Sequence, residues 1–264
     1  MKDVVHKKLI QEYYSKRAED YDRQKSRTWK AVQGFSNEVT DAIVQALLDC
    51  RNKHVLEVCV GTGRTSFSIL EKIKPDFVGL DLSKEMLEAT KAKMQTHKHV
   101  FDLAQGDAEC LPFVDEIFDA LVCTSAMHYF SNPEKIVAES GRVLCQNGCF
   151  VYGDLTLHEL DGRHFLDRLE RTISRAHASY NKPSEVSKML RKTGFLVLQQ
   201  ITTIPYRKSF QALIEDKGRY FGVTREALDK CIQEAPEDER KLYSIDGDGL
   251  TLFYTVIRAL KQNT

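Results

Sequence analysis

The stretch His54-Val55-Leu56-Glu57-Val58-Cys59-Val60-Gly61-Thr62-Gly63-Arg64-Thr65 most narrows what this chain can fold into. An apolar run breaks into a glycine bend, and Asp81 closes the next apolar run twenty residues after Gly61. Glycine lets the backbone turn sharply and approach a ligand, and a carboxylate at the tip of the neighbouring strand can accept from two adjacent hydroxyls. The pattern therefore predicts a strand leading into a nucleotide site, with an acid placed for a ribose.

From residue 54 onward apolar runs alternate with helical spacing. Strands are expected over 54–60, 77–82, 100–105, 118–125 and 148–155, and helices over 64–73, 83–96 and 133–144. Such alternation implies parallel strands with crossover helices on both faces. Ser83 can cap the second of these helices, and Asn132-Pro133-Glu134 sets a cap, a first-turn proline and an acid in order. Upstream, Ser36 is expected to cap a helix whose Val39, Ile43, Ala46 and Leu47 share one face. Further on, 157–180 reads as helical and charged, 184–192 as a short helix, and 195–206 and 250–260 as strands.

A hairpin between those last two strands needs only a few residues, yet 207–249 separates them. Helical spacing at Phe210, Leu213, Ile214, Leu228 and Ile232 reads as an inserted helical cap. The expected architecture is α/β: one Rossmann-like, doubly wound domain over 1–264, mostly parallel with an antiparallel last strand. At 264 residues and 42% hydrophobic content the chain can bury such a core.

Composition limits the partners. Lys+Arg and Asp+Glu both number 38, so no overall basic field draws in nucleic acid. The seven cysteines form no Cys-x-x-Cys pair, which disfavours a metal cluster and suits buried thiols in a reducing compartment. The first thirty residues are charged and no apolar run approaches a membrane span, so a cytoplasmic protein with no membrane segment is expected. The oligomeric state has no signature in the sequence.

Glu57-x-Cys59-x-Gly61-x-Gly63 resembles the acidic-x-Gly-x-Gly-x-Gly loop of class I S-adenosylmethionine-dependent methyltransferases, in particular the ubiquinone/menaquinone-biosynthesis branch. Cys59 stands where the first glycine is usual, so either the position tolerates a small Cβ or the turn is reshaped. The resemblance covers about residues 10–155. It implies that Asp81 holds the ribose, that Leu82 and Met86 flank the adenine, and that Asp107-Ala108 meets the adenine edge. Glu57 and Thr124 then lie near the methionine part, with Gly61 and Gly63 at the bend. Tyr14 to Asp22 resembles an upstream Ala-x-x-Tyr-Asp element that folds over the cofactor. Residues 1–35 would form that lid, with Tyr21 on the carboxylate end.

The implied activity is methyl transfer from S-adenosyl-L-methionine to a small molecule, with His128, just past the fourth strand, as candidate base. Aromatic residues such as Tyr14, Tyr129, Tyr206 and Tyr220 suit an apolar or aromatic acceptor, and Arg219 an anionic group on it. Two rivals stand beside this reading. Gly61-x-Gly63-x-x-Ser66 also fits a loose dinucleotide fingerprint, hence a nicotinamide-dependent oxidoreductase, although no second mononucleotide half or hydride-transfer acid is evident. The fold could also serve as a cofactor-binding module without turnover.

Overall fold

The computed structural model describes residues 2–23, 33–50 and 53–262. Seven strands form one sheet in the order β3-β2-β1-β4-β5-β7-β6. They are β1 His54–Val58, β2 Asp76–Asp81, β3 Asp102–Gln105, β4 Phe118–Thr124, β5 Leu144–Thr156, β6 Phe195–Ser209 and β7 Gly249–Lys261. β1 to β5 are mutually parallel, and β7 runs antiparallel between β5 and β6.

Successive residues of the central strands enter opposite cores. Val55, Val122 and Val151 join one cluster, while Leu56, Leu121 and Phe150 join the other. This is why the strands read as continuous apolar runs: both faces are buried. The first cluster is covered by α2 (Gln33–Leu48), α3 (Arg64–Leu70) and α6 (Phe165–Ile173). The second is covered by α5 (Pro133–Val143) and α7 (Pro183–Lys192). α4 (Lys84–Met94) follows β2, and the Ser83 hydroxyl accepts from Met86 N at 3.3 Å as its cap.

Three local expectations change. α2 starts at Gln33, so Ser36 lies inside the helix rather than at its cap. Asn132 occupies the cap position of α5 without a side-chain bond, and Pro133, which has no N–H to satisfy, leads the helix in. The stretch expected to be helical over 157–180 is helical only in α6, because residues 174–180 leave the helix to bond His128 and Asp167.

Between β6 and β7 the chain is helical: α8 (Phe210–Leu213), a π turn (Ile214–Gly218), α9 (Arg219–Phe221), α10 (Arg225–Gln233) and α11 (Glu237–Leu242). Phe210, Leu213, Leu228 and Ile232 are buried in the first core cluster. α1 (Lys2–Arg17) lies along α4, with Gln11 Nε2 donating to Leu82 O at 3.3 Å. Residues 24–32 of the expected lid lie outside the described residues. No described helix is long and apolar enough to cross a membrane.

Candidate active site

Strand order reverses between β1 and β4, and the carboxyl ends of the parallel strands open a crevice there, where ligands of such sheets bind. A cavity of about 1120 Å³, open mouth included, occupies this place. Its walls are the bend after β1, the tip of β2, residues 106–109, residues 124–126 and residues 129–131, and α1 roofs it through His6, Lys7, Ile10 and Tyr14.

Nine of the ten expected cofactor residues line this one cavity: Tyr21, Glu57, Gly61, Asp81, Leu82, Met86, Asp107, Ala108 and Thr124. Gly63 does not. Its φ of 74° and the 2.9 Å gap between a built Cβ and Thr90 Cγ2 make it the residue that lets the bend press against α4. At Gly61, with φ 57°, a Cβ would meet nothing within 4 Å, so the wall there is bare main chain facing open space. Thr90 Oγ1 braces the loop by donating to Gly61 O at 2.8 Å, and Lys93 Nζ to Thr62 O at 2.6 Å.

Cys59, in the place of the usual first glycine, has φ 57°. The cysteine here takes a left-handed backbone, the region that favours glycine. Burial pushes its thiol pKa well up, so it is a packing group rather than a nucleophile.

Each acid has a distinct setting. Asp81 accepts from Gly61 N at 2.7 Å and Ser83 N at 2.9 Å, one per oxygen, which fixes the carboxylate across the cavity wall. Burial raises its pKa and these backbone donors oppose the rise. Glu57 is 1% exposed, and desolvation pushes its pKa up to about 8 against hydrogen bonds from Ser66 and Thr124. At neutral pH it is mostly protonated. Asp107 is engaged by Lys7 Nζ at 2.5 Å and by Glu109 N at 2.9 Å.

His128, the expected base, is not on the cavity wall. Its ring is buried one layer behind, against Tyr129 at 4.0 Å between centroids, and Tyr129 lines the cavity. Nδ1 donates to Asp154 at 2.8 Å, and Nε2 is buried with no partner among the described residues. Sequence reasoning missed Asp154, although an acid ending the apolar run Phe150-Val151-Tyr152-Gly153 at the sheet's carboxyl edge was a usable signal. It also missed the roof residues His6 and Lys7, whose helix reads only as a charged face. The side chain of Arg219 lies outside the described residues.

Sheet order, switch-point cavity and acid placement together define the class I methyltransferase fold. Residues 55–148 match the family model described as a methyltransferase domain. The uncharacterized methyltransferase YcgJ of Bacillus subtilis is 36% identical over 143 residues, covering 52% of this chain and 55% of that protein. The demethylmenaquinone methyltransferase of Deinococcus radiodurans is 26% identical over 163 residues, covering 54% and 68% respectively. The crystal structure of YcgJ shares the fold at a TM-score of 0.74 and 23% identity, over 86% of this chain and all of that one. Residues 55–148 thus carry a methyltransferase domain, and the fold of the chain is that of the class I S-adenosylmethionine-dependent methyltransferases.

Proposed function

We propose that the protein transfers a methyl group from S-adenosyl-L-methionine to a small-molecule acceptor. The observation that carries this reading is the convergence of Asp81, Glu57 and the bare Gly61 bend on one switch-point cavity. These residues fit the donor. Asp81 keeps a free lone pair on each oxygen for a cis-diol, and Leu82 and Met86 offer apolar flanks to a base. Desolvation outweighs the pull of Arg64 and of the hydroxyl donors on the buried Glu57, so an α-ammonium or sulfonium beside it would add the charge that favours its ionised form.

When bound, the donor supplies an electrophilic methyl group. The protein's own part is to hold, orient and exclude water, and well-arranged positioning supplies roughly 7–11 kcal/mol of a barrier. α1 closes the roof, with His6 Nε2 bonded to Tyr129 O at 2.9 Å and Lys7 to Asp107. We assign His128 the role of base. Asp154 fixes the ring proton on Nδ1, which leaves Nε2 to receive a proton from the acceptor.

The Deinococcus relative is named for methylating demethylmenaquinone. That name, with the tyrosines around the cavity, supports an aromatic ring as acceptor. Seven free cysteines support a reducing, cytoplasmic setting.

The test is a screen of metabolite extracts with an isotope-labelled methyl donor, read by mass. A compound that gains the label with wild-type protein, at a rate lowered about 100-fold or more in His128→Ala with donor affinity kept, supports the reading. Label transfer at an unchanged rate in His128→Ala removes the base, and no labelled product from any extract removes the activity.

A further inference from the structure

Two cysteines roughly one hundred residues apart in the chain meet under α2. Cys50 stands two residues past the end of that helix, and Cys149 lies on β5, where it pairs with Ala120 near the start of β4. This is the end of the strands opposite the switch-point cavity, so neither thiol belongs to the site described above. Both sulfurs turn to one carbonyl: Cys50 Sγ donates to Ala46 O at 3.1 Å, and Cys149 Sγ reaches the same oxygen at 4.0 Å. The Cys149 thiol also hydrogen-bonds Cys50. Their access to solvent differs. Cys149 is fully buried, whereas Cys50 is partly exposed, so a small solute reaches Cys50 first.

A cation completes the group. Arg258 on β7 lies against Cys50, and its Nη1 is 3.0 Å from Asp49 Oδ2. Its Nε and Nη1 are buried without a well-aligned hydrogen-bond acceptor among the described residues. Asp49 thus balances the charge of Arg258 without satisfying those donors, and a thiolate is an acceptor that suits them. Of the charged groups facing Cys50, Arg258 favours the thiolate and Asp49 opposes it. The hydrogen bond from Cys149, with Arg258, holds the Cys50 pKa below the usual thiol value despite burial, while burial pushes Cys59, Cys123 and Cys145 up. Cys50 is therefore set up as a nucleophile with a second thiol at its side.

We propose that Cys50 and Cys149 form a reversible oxidation site, in which hydrogen peroxide oxidises Cys50 and Cys149 then closes a disulfide that ties the end of α2 to β5. The Cys50 thiolate attacks one peroxide oxygen: the S–O bond forms, the O–O bond breaks, and the second oxygen leaves as hydroxide and takes up a proton as water. The Cys149 sulfur then attacks the Cys50 sulfur of the sulfenic acid. The S–S bond forms, the S–O bond breaks, and the departing hydroxide takes the Cys149 proton as a second water. Two thiols lose two electrons in all, and the peroxide gains them. A dithiol reductant restores both thiols by exchange. Such pairs are oxidised only transiently in a reducing setting, in keeping with seven free cysteines at rest.

The test treats intact wild-type protein with hydrogen peroxide at pH 7, then unfolds and alkylates it and follows every cysteine by peptide mass. Cys50 and Cys149 are expected to vanish together into one linked peptide pair that dithiothreitol separates, at least about ten-fold faster than the exposed Cys110 is oxidised. In Cys149→Ala, which lacks the resolving thiol, dimedone is expected to trap Cys50 as its sulfenic acid, at a yield at least about ten-fold above that in wild type. The first measurement needs no variant, so it decides even if Cys149→Ala fails to fold. Oxidation of Cys110 ahead of Cys50, or loss of Cys50 without a link to Cys149, overturns the site. Equal formation of the link in protein unfolded by urea also overturns it, because the fold would then contribute nothing to the pairing.

Discussion

Glu57 carries the sharpest electrostatic consequence. Its folded pKa of about 8 lies above the ordinary glutamate value, and a cation placed beside it favours the ionised form. Binding of S-adenosylhomocysteine should therefore release a proton at pH 7. Affinity measured by calorimetry should rise by up to about ten-fold per pH unit toward pH 8 and level off above it, and Glu57→Gln should lose the slope. A flat profile in the wild type contradicts the assignment. The same shift has a sign for folding. A raised carboxyl pKa stabilises the fold below the unfolded pKa, and that contribution is lost as pH rises through 8. Unliganded wild type should thus lose stability relative to Glu57→Gln across that window in urea titrations.

Cys59 makes a second single-residue case. Its left-handed backbone costs an L residue about 1–2 kcal/mol, more for a β-branched side chain. Cys59→Gly should change stability by less than about 1 kcal/mol, because relief of strain offsets lost packing and the greater freedom of the unfolded chain. Cys59→Val should cost at least about 2 kcal/mol by thermal unfolding. Equal melting of the two variants would show that the turn is not strained. The sequence located this position but left open whether the turn or the residue gives way. Backbone angles decide that, and no residue spacing encodes them.

Among the elements, α1 and the helical segment after β6 meet through charge. Arg17 Nη2 bonds Asp216 at 2.7 Å, Lys208 bonds the same acid at 3.1 Å, and Lys217 pairs with Glu170. Arg17 and Asp216 are almost fully buried, and Arg17 sits over the rings of Tyr13 and Tyr21 at 4.9 and 5.0 Å. Removing one partner from a buried pair costs about 3–5 kcal/mol, because the other charge stays desolvated. Asp216→Asn should lower stability by that amount in urea unfolding, and a loss under about 1 kcal/mol would show that the two elements separate freely.

The helices here were legible from Phe210, Leu213, Leu228 and Ile232, whose spacing marks a buried face. The ion pairs were not. Lys208, Asp216 and Lys217 read as a solvated surface until the partner helix, some 200 residues upstream, is folded against them. Distance along the chain also hid the pair of His128 and Asp154, which lie on different strand ends.

For the molecule as a whole, the parallel strands follow from alternation: each crossover lays a strand beside the last except that from β3 to β4, which returns to the far side of β1 and leaves the crevice there. Local pattern therefore reached both the fold and the acids at its strand tips, because tip residues are adjacent in sequence to the runs that announce them. The roof of the cavity comes from α1, far upstream of the strands it covers, and no local pattern joins the two. The rival dinucleotide reading differs at this level. It needs a second nucleotide-binding half, whereas the sheet here continues from β5 into the antiparallel β7 and β6.

Calorimetric titration of the intact protein with S-adenosylhomocysteine and, separately, with NAD decides between these readings. One molecule of S-adenosylhomocysteine should bind per chain, at least about ten-fold more weakly in Asp81→Asn, with no heat from NAD. Binding of NAD, or S-adenosylhomocysteine affinity indifferent to Asp81, would contradict the adenosyl site.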